Sequence, residues 1–302
     1  RGGGILNSAE KLAKTDESLL VEQALQRLEE IEKTGTVAVE IKSGYGLTYE
    51  AELKMLRVIR TLKQKSKLTI KATFLGAHAY PMAYKENHEP YLQIICNELL
   101  PEIAGEGLAD FVDVFCEKGY FSVTETNRIL ESAAKFGLRP KIHVNQFNDI
   151  GGIETALKYN ALSVDHLEVL SDENIATLKS GNTMPVALPG CSFFLRIPYT
   201  PARKVIDAGL PLALASDFNP GSAPSGNMNF VMSLGCIQMR MLPEEVINAA
   251  TLNGAYAMGV ESLHGSITKG KKAALVLTKP LDNIAEIPYY FGSNLIAQTI
   301  TG

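Results

Sequence analysis

The sequence predicts an α/β protein whose strands form a distorted (β/α)8 barrel of the TIM type, with a small β-sandwich domain beside it. Two observations favour this fold class. Short runs of apolar and β-branched residues alternate with amphipathic stretches of roughly ten to fifteen residues, as in repeated βαβ units that build a parallel sheet. In addition, no glycine-rich dinucleotide fingerprint follows an early strand, which disfavours a doubly wound open sheet.

The alternation defines each element in turn. The predicted strands are Val37–Lys42, Leu68–Leu75, Phe111–Phe115, Lys141–Val144, Leu162–Asp165, Met184–Leu188 and Leu212–Ser216. The predicted helices are Glu17–Lys33, Tyr49–Lys63, Pro90–Glu102, Val123–Phe136, Gly151–Lys158, Asp172–Ser180 and Ala202–Ala208. Thr124 before Asn127, and Ser171-Asp172-Glu173, are typical of helix starts. Glu50, Glu52 and Lys54 fit a solvated charged face of their helix.

The strand count does not complete the barrel. A closed barrel of this type has eight strands, whereas the alternation provides seven. Nothing before Glu17 has the pattern of a buried strand, so we expect the missing strand to be the first. A doubly wound open sheet, for which seven strands suffice, remains the alternative.

The pattern changes after Asp217. Asn227–Met241 and Pro243–Met258 are predicted helices, and Ala273–Thr278 is a predicted strand. Tyr289-Tyr-Phe-Gly292 and Leu295–Ile300 are predicted to form one further β segment. We therefore assign residues 1–260 to the barrel, incomplete at its N-terminus, and residues 261–302 to the C-terminal part of the small β-sandwich domain.

The composition disfavours several function classes. The chain of 302 residues has a net charge of −4, so no basic face indicates binding to nucleic acid or to an anionic membrane. No apolar run is long enough to span a bilayer. The four cysteines are scattered without a Cys-x-x-Cys pair, which disfavours a zinc knuckle or a disulfide framework. We expect buried thiols in a reducing cytoplasm.

Polar residues follow the predicted strands, at the edge where the active sites of (β/α) barrels lie. Lys141-Ile-His143, Val164-Asp165-His166 and Ala215-Ser216-Asp217 end three separate strands. Two imidazoles and a carboxylate are ligands suited to a catalytic metal ion of the zinc type. Each residue alone is as well explained by a buried polar or turn position. Together they indicate a site, because a packed core gains nothing from polar groups at several strand ends.

Five strand-end segments form a recognisable set: Ile41-Lys-Ser-Gly-Tyr-Gly-Leu47, Thr73-Phe-Leu-Gly-Ala-His78, Asp113-Val-Phe-Cys-Glu117, Ser163-Val-Asp-His-Leu-Glu168 and Ser216-Asp-Phe-Asn-Pro-Gly221. They resemble the imidazolonepropionase family of the metal-dependent amidohydrolase superfamily. The resemblance extends from Gly2 to the end of the chain. Within the superfamily, the Lys-Ser-Gly-Tyr-Gly and Gly-Ala-His strings are specific to this family.

The resemblance implies a fold and an activity. The fold is a distorted (β/α)8 barrel beside a small β-sandwich that both chain ends build. The activity is hydrolysis of the ring amide C–N bond of 4-imidazolone-5-propanoate to N-formimidoyl-L-glutamate, in histidine degradation. The attacking water is activated by one bound metal ion, Zn2+ or Fe3+. A homodimer is implied as well.

The resemblance also implies the role of each site residue. His143 and Asp217 would be the metal ligands, and Asp217 would also pass the water's proton to the departing ring nitrogen. His166 would stabilise the oxyanion, and Gln146 would stand with the catalytic residues where some relatives have a Glu. The residues implied to hold the substrate or line its pocket are Tyr45, His78, Gln146, Asn219, Gly221 and Ser222.

The sequence departs from the family pattern near its start. The family has a His-x-His metal pair at the end of the first barrel strand, followed by an Arg that binds the propanoate. Here no two of the five histidines are two residues apart, and Arg1 alone is considered as a remnant of that Arg. We therefore expect roughly a hundred further residues upstream. The 302 residues alone are expected to be inactive and poorly stable.

Two other functions remain open at this point. One is a deaminase of the same superfamily that acts on a purine or pyrimidine, which ammonia release would distinguish from ring opening. The other is a non-catalytic relative that lacks the metal pair. The sequence does not decide between zinc, iron and manganese, because His and Asp ligands accept all three.

Overall fold

The computed structural model describes residues 5–302, so Arg1 and its comparison with a substrate-binding arginine lie outside the described residues. Seven strands form one curled sheet in which the spatial order follows the chain order. The strands are β1 Ala38–Lys42, β2 Thr69–Ala77, β3 Phe111–Cys116, β4 Arg139–Val144, β5 Ser163–His166, β6 Met184–Ala187 and β7 Ala213–Leu214. The seven predicted strands are confirmed, and so is the α/β barrel-type class.

All neighbouring strands of this sheet are parallel. Their carboxyl ends therefore lie at one edge of the sheet, where the residues that follow each strand come together. Within residues 5–302, β1 and β7 are the two edge strands.

Helices connect the strands and cover the outer face of the sheet. Their bounds are α1 Ile5–Lys14, α2 Glu17–Lys33, α3 Tyr49–Lys65, α4 Glu89–Gln93, α5 Leu100–Glu106, α6 Val123–Ala134, α7 Gly152–Lys158, α8 Asp172–Leu178, α9 Pro189–Leu195, α10 Ala202–Asp207, α11 Met228–Met239, α12 Pro243–Ala250, α13 Leu252–Ala257 and α14 Glu286–Tyr289. A π-helical segment, Ile94–Leu99, joins α4 to α5. The predicted helix Pro243–Met258 is interrupted at Thr251, whose ψ of −82° departs from helical geometry.

Side-chain caps explain where several helices begin. Thr48 accepts a hydrogen bond from the amide of Ala51 at the start of α3. Ser171 and Asn174 cap each other at the start of α8, as the sequence indicates. At α6 the cap is Ser122 with Glu125, two residues before the Thr124 that the sequence suggested. Reciprocal bonds of this kind satisfy amides that a helix start leaves without partners.

The main apolar core lies between the first five strands and the helices that cover them. Leu56, Ile59 and Leu62 of α3 are almost fully buried there, together with Phe74 of β2. Deleting a buried leucine or isoleucine side chain to alanine typically costs about 2–5 kcal/mol. The rigid sheet that results fixes the positions of the residues at its carboxyl edge.

The tail forms a separate antiparallel pair, β8 Ala274–Thr278 and β9 Ile296–Thr301. The predicted β segment at Tyr289–Gly292 is wrong, because α14 ends at Tyr289 and a turn follows. The assignment of residues 261–302 to a distinct β-sandwich domain remains a prediction. Among the described residues, no helix is both long enough and apolar enough to cross a bilayer.

Candidate active site

All nine residues that the sequence singled out border one cavity of about 2270 Å³. The cavity lies at the carboxyl edge of the sheet and extends into the interior of the curled sheet. They are Tyr45, His78, His143, Gln146, His166, Asp217, Asn219, Gly221 and Ser222. They follow five different strands, β1, β2, β4, β5 and β7. The cavity therefore brings together side chains that lie far apart in the sequence.

Tyr45 and His78 form one wall of the cavity. Their ring centroids are 5.3 Å apart in an edge-on arrangement. Tyr45 lies in the loop after β1, and His78 directly follows β2. Burial, with a smaller contribution from the charge of Asp217, raises the pKa of Tyr45 well above its usual value. The Tyr45 hydroxyl therefore stays protonated at neutral pH and is available as a hydrogen-bond donor.

A buried carboxylate holds the Tyr45 loop. Glu52 of α3 accepts hydrogen bonds from the backbone amides of Gly44, Gly46 and Leu47, at 2.7 to 3.2 Å. The prediction of a solvated face is wrong at this position, because Glu52 is fully buried. Burial raises the pKa of Glu52 against the opposing effect of these hydrogen bonds.

The loop needs glycine on both sides of Tyr45. Gly44 has a φ of +100°, which only glycine adopts without strain. A Cβ at Gly46 would lie 2.4 Å from the backbone nitrogen of Glu52, so even alanine cannot fit without movement of the chain. The Lys-Ser-Gly-Tyr-Gly string thus reflects a tight approach of the loop to the start of α3.

The tautomer of His78 follows from its partner. Its Nδ1 lies 3.0 Å from the carbonyl oxygen of Gly44. Since a carbonyl only accepts, Nδ1 must bear the proton, and Nε2 is left as an acceptor. Burial, followed by the nearby charge of His143, lowers the pKa of His78 to about 4. The imidazole is therefore neutral at pH 7.

The lowered pKa of His78 makes the free energy of unfolding decrease as the pH falls. Between pH 6.5 and pH 4, an unfolded chain would bind a proton at His78 that the folded protein does not, so stability falls as the pH falls. We expect the wild-type protein to lose up to about 3 kcal/mol more than a His78→Gln variant over this interval. Denaturant unfolding of both proteins at pH 7 and at pH 4 measures the difference. Equal losses in the two proteins would contradict a neutral buried His78.

A second set of contacts orients His143. Its Nδ1 lies 3.0 to 3.1 Å from the carboxylate of Asp113 on β3. The ammonium of Lys42 lies 2.7 Å from the same carboxylate and 3.3 Å from that of Asp165. Burial opposes the charge on Asp113, but His143 and Lys42 outweigh it and hold the pKa of Asp113 well below its usual value.

Lys42 lies beside a group of acidic and imidazole side chains that could otherwise share a metal ion. Atoms of Asp113, His143 and Asp165 lie within 4.8 Å of one another, close enough to share a metal ion. The ammonium of Lys42 already lies against both carboxylates, so a cation is in place there. A metal ion that His143 binds would therefore use Nε2, since Nδ1 faces Asp113.

His166 ends β5 beside His143, with ring centroids 5.2 Å apart. Its Nδ1 lies 3.3 Å from a carboxylate oxygen of Glu168. Burial by itself lowers the pKa of His166, but the charges of Glu168 and then of Asp217 reverse the effect and raise it. His166 is therefore disposed to hold a proton, in contrast to His78.

Asp217 follows β7 in a left-handed backbone conformation, with a φ of +51°. Its Oδ2 accepts a hydrogen bond of 3.4 Å from Ser222. Asn219 stabilises the same loop, because its side-chain oxygen accepts hydrogen bonds of 2.8 Å from the amides of Gly221 and Ser222. Strained positions of this kind cluster at functional sites, where the surrounding structure maintains them.

Gln146 differs from the other predicted residues in its contacts. It borders the cavity, but its side-chain amide donates to the sulfur of Cys191 at 3.5 Å. The backbone beside it is held by Glu117, whose carboxylate accepts hydrogen bonds from the amides of Phe147 and Asn148. Glu117, which directly follows β3, therefore positions the loop after β4.

The site fits a metal ion by the chemistry of its donors. Imidazole nitrogen and carboxylate oxygen, from His143 and Asp217, are ligands that zinc and iron accept. The Asp113 carboxylate on the far nitrogen of His143 is the arrangement that orients a metal-binding histidine in many proteins. Sequence reasoning missed Glu52, Asp113 and Lys42 as residues that support this site. For Asp113 and Lys42 there was a signal, since each is a charged residue within a predicted buried strand.

The chain is similar in sequence to proteins of known family. The model of the Amidohydrolase family matches residues 3–289. Imidazolonepropionase of Flavobacterium johnsoniae is 65% identical over 300 residues, which are 99% of this chain and 73% of that protein. Imidazolonepropionase of Alkaliphilus metalliredigens is 42% identical over 301 residues, with 99% of this chain and 71% of that protein covered.

Solved structures resemble the fold at low sequence identity. A 5-methylcytosine deaminase from Klebsiella pneumoniae superposes with a TM-score of 0.79 at 15% identity, covering 98% of this chain and 76% of that one. A zinc-bound adenosine deaminase from Xanthomonas campestris superposes with a TM-score of 0.73 at 16% identity, covering 96% and 70%. At such identities the likeness concerns the fold.

Proposed function

The chain belongs to the imidazolonepropionase family of the amidohydrolases, and from that premise we propose how its residues open the ring of 4-imidazolone-5-propanoate. Family membership indicates a hydrolase that acts on carbon–nitrogen bonds of a small molecule. One observation supports the assignment of residues best. Five residues from the carboxyl ends of five strands, or from the loops after them, border a single cavity: Tyr45, His78, His143, His166 and Asp217.

Membership in the amidohydrolases implies a divalent metal ion, and we propose either such an ion or the trivalent Fe3+. We assign its binding to Nε2 of His143 and the carboxylate of Asp217, with Zn2+ or Fe3+ as the candidate ions. A bound ion of this kind lowers the pKa of water to roughly 7 and so supplies hydroxide at neutral pH. Asp113, which Lys42 holds in place, faces Nδ1 of His143 and thereby leaves Nε2 for the ion.

The opposite wall of the cavity would bind the planar ring. Neutral His78 offers Nε2 as an acceptor to a ring N–H, and the Tyr45 hydroxyl offers a donor. Gln146 can supply an amide donor or acceptor but no general base, because its side chain does not titrate. Asn219, Gly221 and Ser222 would close the pocket beside Asp217. Correct orientation of the ring before attack provides a large share of the rate enhancement in such reactions.

Two residues would move or hold protons. The carboxylate of Asp217 would accept the proton of the attacking water and deliver it to the ring nitrogen as the C–N bond breaks. His166, whose pKa is raised beside Glu168, would donate a hydrogen bond to the carbonyl oxygen as negative charge develops there. The product is the open-chain formimidoyl compound, with one water added and nothing released.

Turnover of 4-imidazolone-5-propanoate tests the proposal. We expect the whole protein, loaded with Zn2+ or Fe3+ in separate preparations, to convert this compound to N-formimidoyl-L-glutamate. Mass spectrometry identifies the product, and an ammonia assay run in parallel should stay at background. Ammonia release from a purine or pyrimidine without ring opening of the imidazolone would overturn the proposal in favour of a deaminase. The homodimer and the cytoplasmic location remain predictions.

A further inference from the structure

His166 belongs to a second group of side chains of the types that bind metal ions. The donor atoms of His166, Glu168 and Cys191 are all within 4.8 Å of one another, and all three residues are buried. Only His166 belongs to the residues proposed for catalysis. The group is distinct from His143 and Asp217, to which we assign the catalytic metal ion.

The backbone brings these three side chains together in a defined way. β5 ends at His166, and positive φ angles at His166 and Leu167 turn the chain so that Glu168 returns toward His166. The carbonyl of His166 is fixed by a hydrogen bond of 2.6 Å from Thr200. Cys191 lies in the first turn of α9, the helix that follows β6 and that the sequence did not predict.

One atom of this group lacks a partner. Oε1 of Glu168 accepts from Ser192 at 3.2 Å and lies 3.3 Å from Nδ1 of His166. Within the described part of the chain, the other oxygen, Oε2, is buried without any hydrogen-bond partner. A buried polar atom without a partner destabilises the folded protein, so a ligand that satisfies this oxygen would bind favourably. The side chain of Glu168 is only 1% exposed.

The types of donor restrict the ligand. An imidazole, a carboxylate and a thiolate form a borderline-soft set that suits Zn2+, Co2+ and Cd2+ better than Mg2+ or Ca2+. Three protein ligands leave a fourth position of a tetrahedral ion for water. Gln146 links the group to the cavity, because it borders the cavity and its side-chain amide contacts the sulfur of Cys191 at 3.5 Å.

We propose that His166, Glu168 and Cys191 form a second site for a thiophilic divalent cation, which fills when Zn2+ is in excess and then removes His166 from catalysis. Binding converts the Cys191 thiol to a thiolate, whose proton goes to solvent, and a His166 that is protonated must release one further proton before its nitrogen can bind the ion. Burial, and then the charge of Asp217, raise the pKa of that thiol, so the proton competes with the ion and the site is weaker than one with a preformed thiolate. The inhibitory effect rests on the proposed function, whereas the binding site does not.

Titration with Co2+ tests the site without turnover. We expect Co2+ to give the near-ultraviolet charge-transfer band of a thiolate–Co2+ bond in the whole protein. The band should be lost in Cys191→Ser and weakened in Glu168→Gln. It should persist in Cys236→Ser, the matched control, because Cys236 is a half-buried thiol on α11 outside the group. No band in the wild type, or an unchanged band in Cys191→Ser, would overturn the inference.

Inhibition by excess Zn2+ is the second readout. We expect Cys191→Ser to keep the wild-type turnover at limiting metal. It should need at least about tenfold more Zn2+ for half-inhibition, because loss of even an indirect partner of a metal ligand lowers metal affinity tenfold or more. Equal inhibition of both proteins would overturn the inhibitory role. A protein that shows the Co2+ band but does not open the imidazolone ring would contradict the proposed function alone.

Discussion

Replacement of Asp217 by asparagine is expected to lower kcat for imidazolone ring opening by roughly a thousandfold, the usual contribution of a general acid–base group. Asparagine has nearly the same shape as aspartate but cannot accept and return a proton at neutral pH. Its carboxamide oxygen can still accept the hydrogen bond from Ser222 that the wild-type side chain accepts. The variant therefore removes the proposed chemistry while it preserves most contacts of the loop.

The backbone at this position also favours asparagine as the test. Asp217 has a φ of +51°, a left-handed conformation that asparagine tolerates better than most residues. We therefore expect the thermal unfolding of Asp217→Asn to stay close to that of the wild type. Alanine would add backbone strain and would not separate a chemical effect from a structural one.

Steady-state kinetics with bound metal determined on the same samples check this prediction. Asp217 is proposed both as a ligand and as a base, so the metal content shows how much of the loss follows from loss of the ion. Asp207→Asn is the matched control, because Asp207 is an exposed residue of α10 that pairs with Arg203. The proton-transfer role would be refuted by an Asp217→Asn enzyme that retains more than about a tenth of the wild-type kcat.

The strands were predictable from the sequence because each is a short apolar run between amphipathic helices. The short helix α9, Pro189–Leu195, was not, since Pro-Gly-Cys-Ser-Phe-Phe-Leu has no polar face from which a helical period could be recognised. The break between α12 and α13 was missed for a different reason. Residues 243–258 have a helical pattern throughout, and the departure at Thr251 is a matter of tertiary packing that local propensity does not record.

The candidate site was predictable at the strand ends and less so behind them. His143, His166 and Asp217 could be found because each lies at or just after the carboxyl end of a strand of a parallel sheet. Asp113 and Lys42 stabilise His143 from strands that are 30 and 101 residues away in sequence, and their pairing depends on strand order and register. Glu52 was misassigned because the charges around it, Glu50 and Lys54, fit an exposed helix face at helical spacing.

Glu52→Ala is expected to lower kcat/KM by about a hundredfold, through a shift of the Tyr45 loop of the order of 1 Å. Three backbone amides would lose their common acceptor, and the amide of Gly44 would no longer be fixed. The carbonyl of Gly44 is the partner of His78, so the same change releases both proposed substrate-binding side chains. We expect a larger effect on KM than on kcat, because neither residue moves a proton in the proposed reaction.

The same substitution is expected to cost at least about 3 kcal/mol of stability, since each buried amide left without a partner costs about 1–3 kcal/mol. Denaturant unfolding measures this cost, and Glu50→Ala, on the exposed face of the same helix turn, is the matched control. Glu52→Gln separates position from stability. One oxygen can still accept from Gly46 and Leu47, whereas Gly44 keeps only the longer 3.2 Å contact to that oxygen and has an NH2 group in place of its 3.1 Å acceptor. A Glu52→Gln enzyme with wild-type KM would show that the anchor of Gly44 does not position His78.

Gly46→Ala approaches the same contact from the opposite side. The added methyl group would lie 2.4 Å from the nitrogen of Glu52, so the loop must move away from the carboxylate that holds it. If Glu52 acts by fixing this loop, Gly46→Ala and Glu52→Ala remove one shared interaction, and the double variant should lose much less than the product of the two single losses in kcat/KM. Independent effects would multiply, and that result would assign Glu52 to the stability of α3 rather than to the position of Tyr45 and His78.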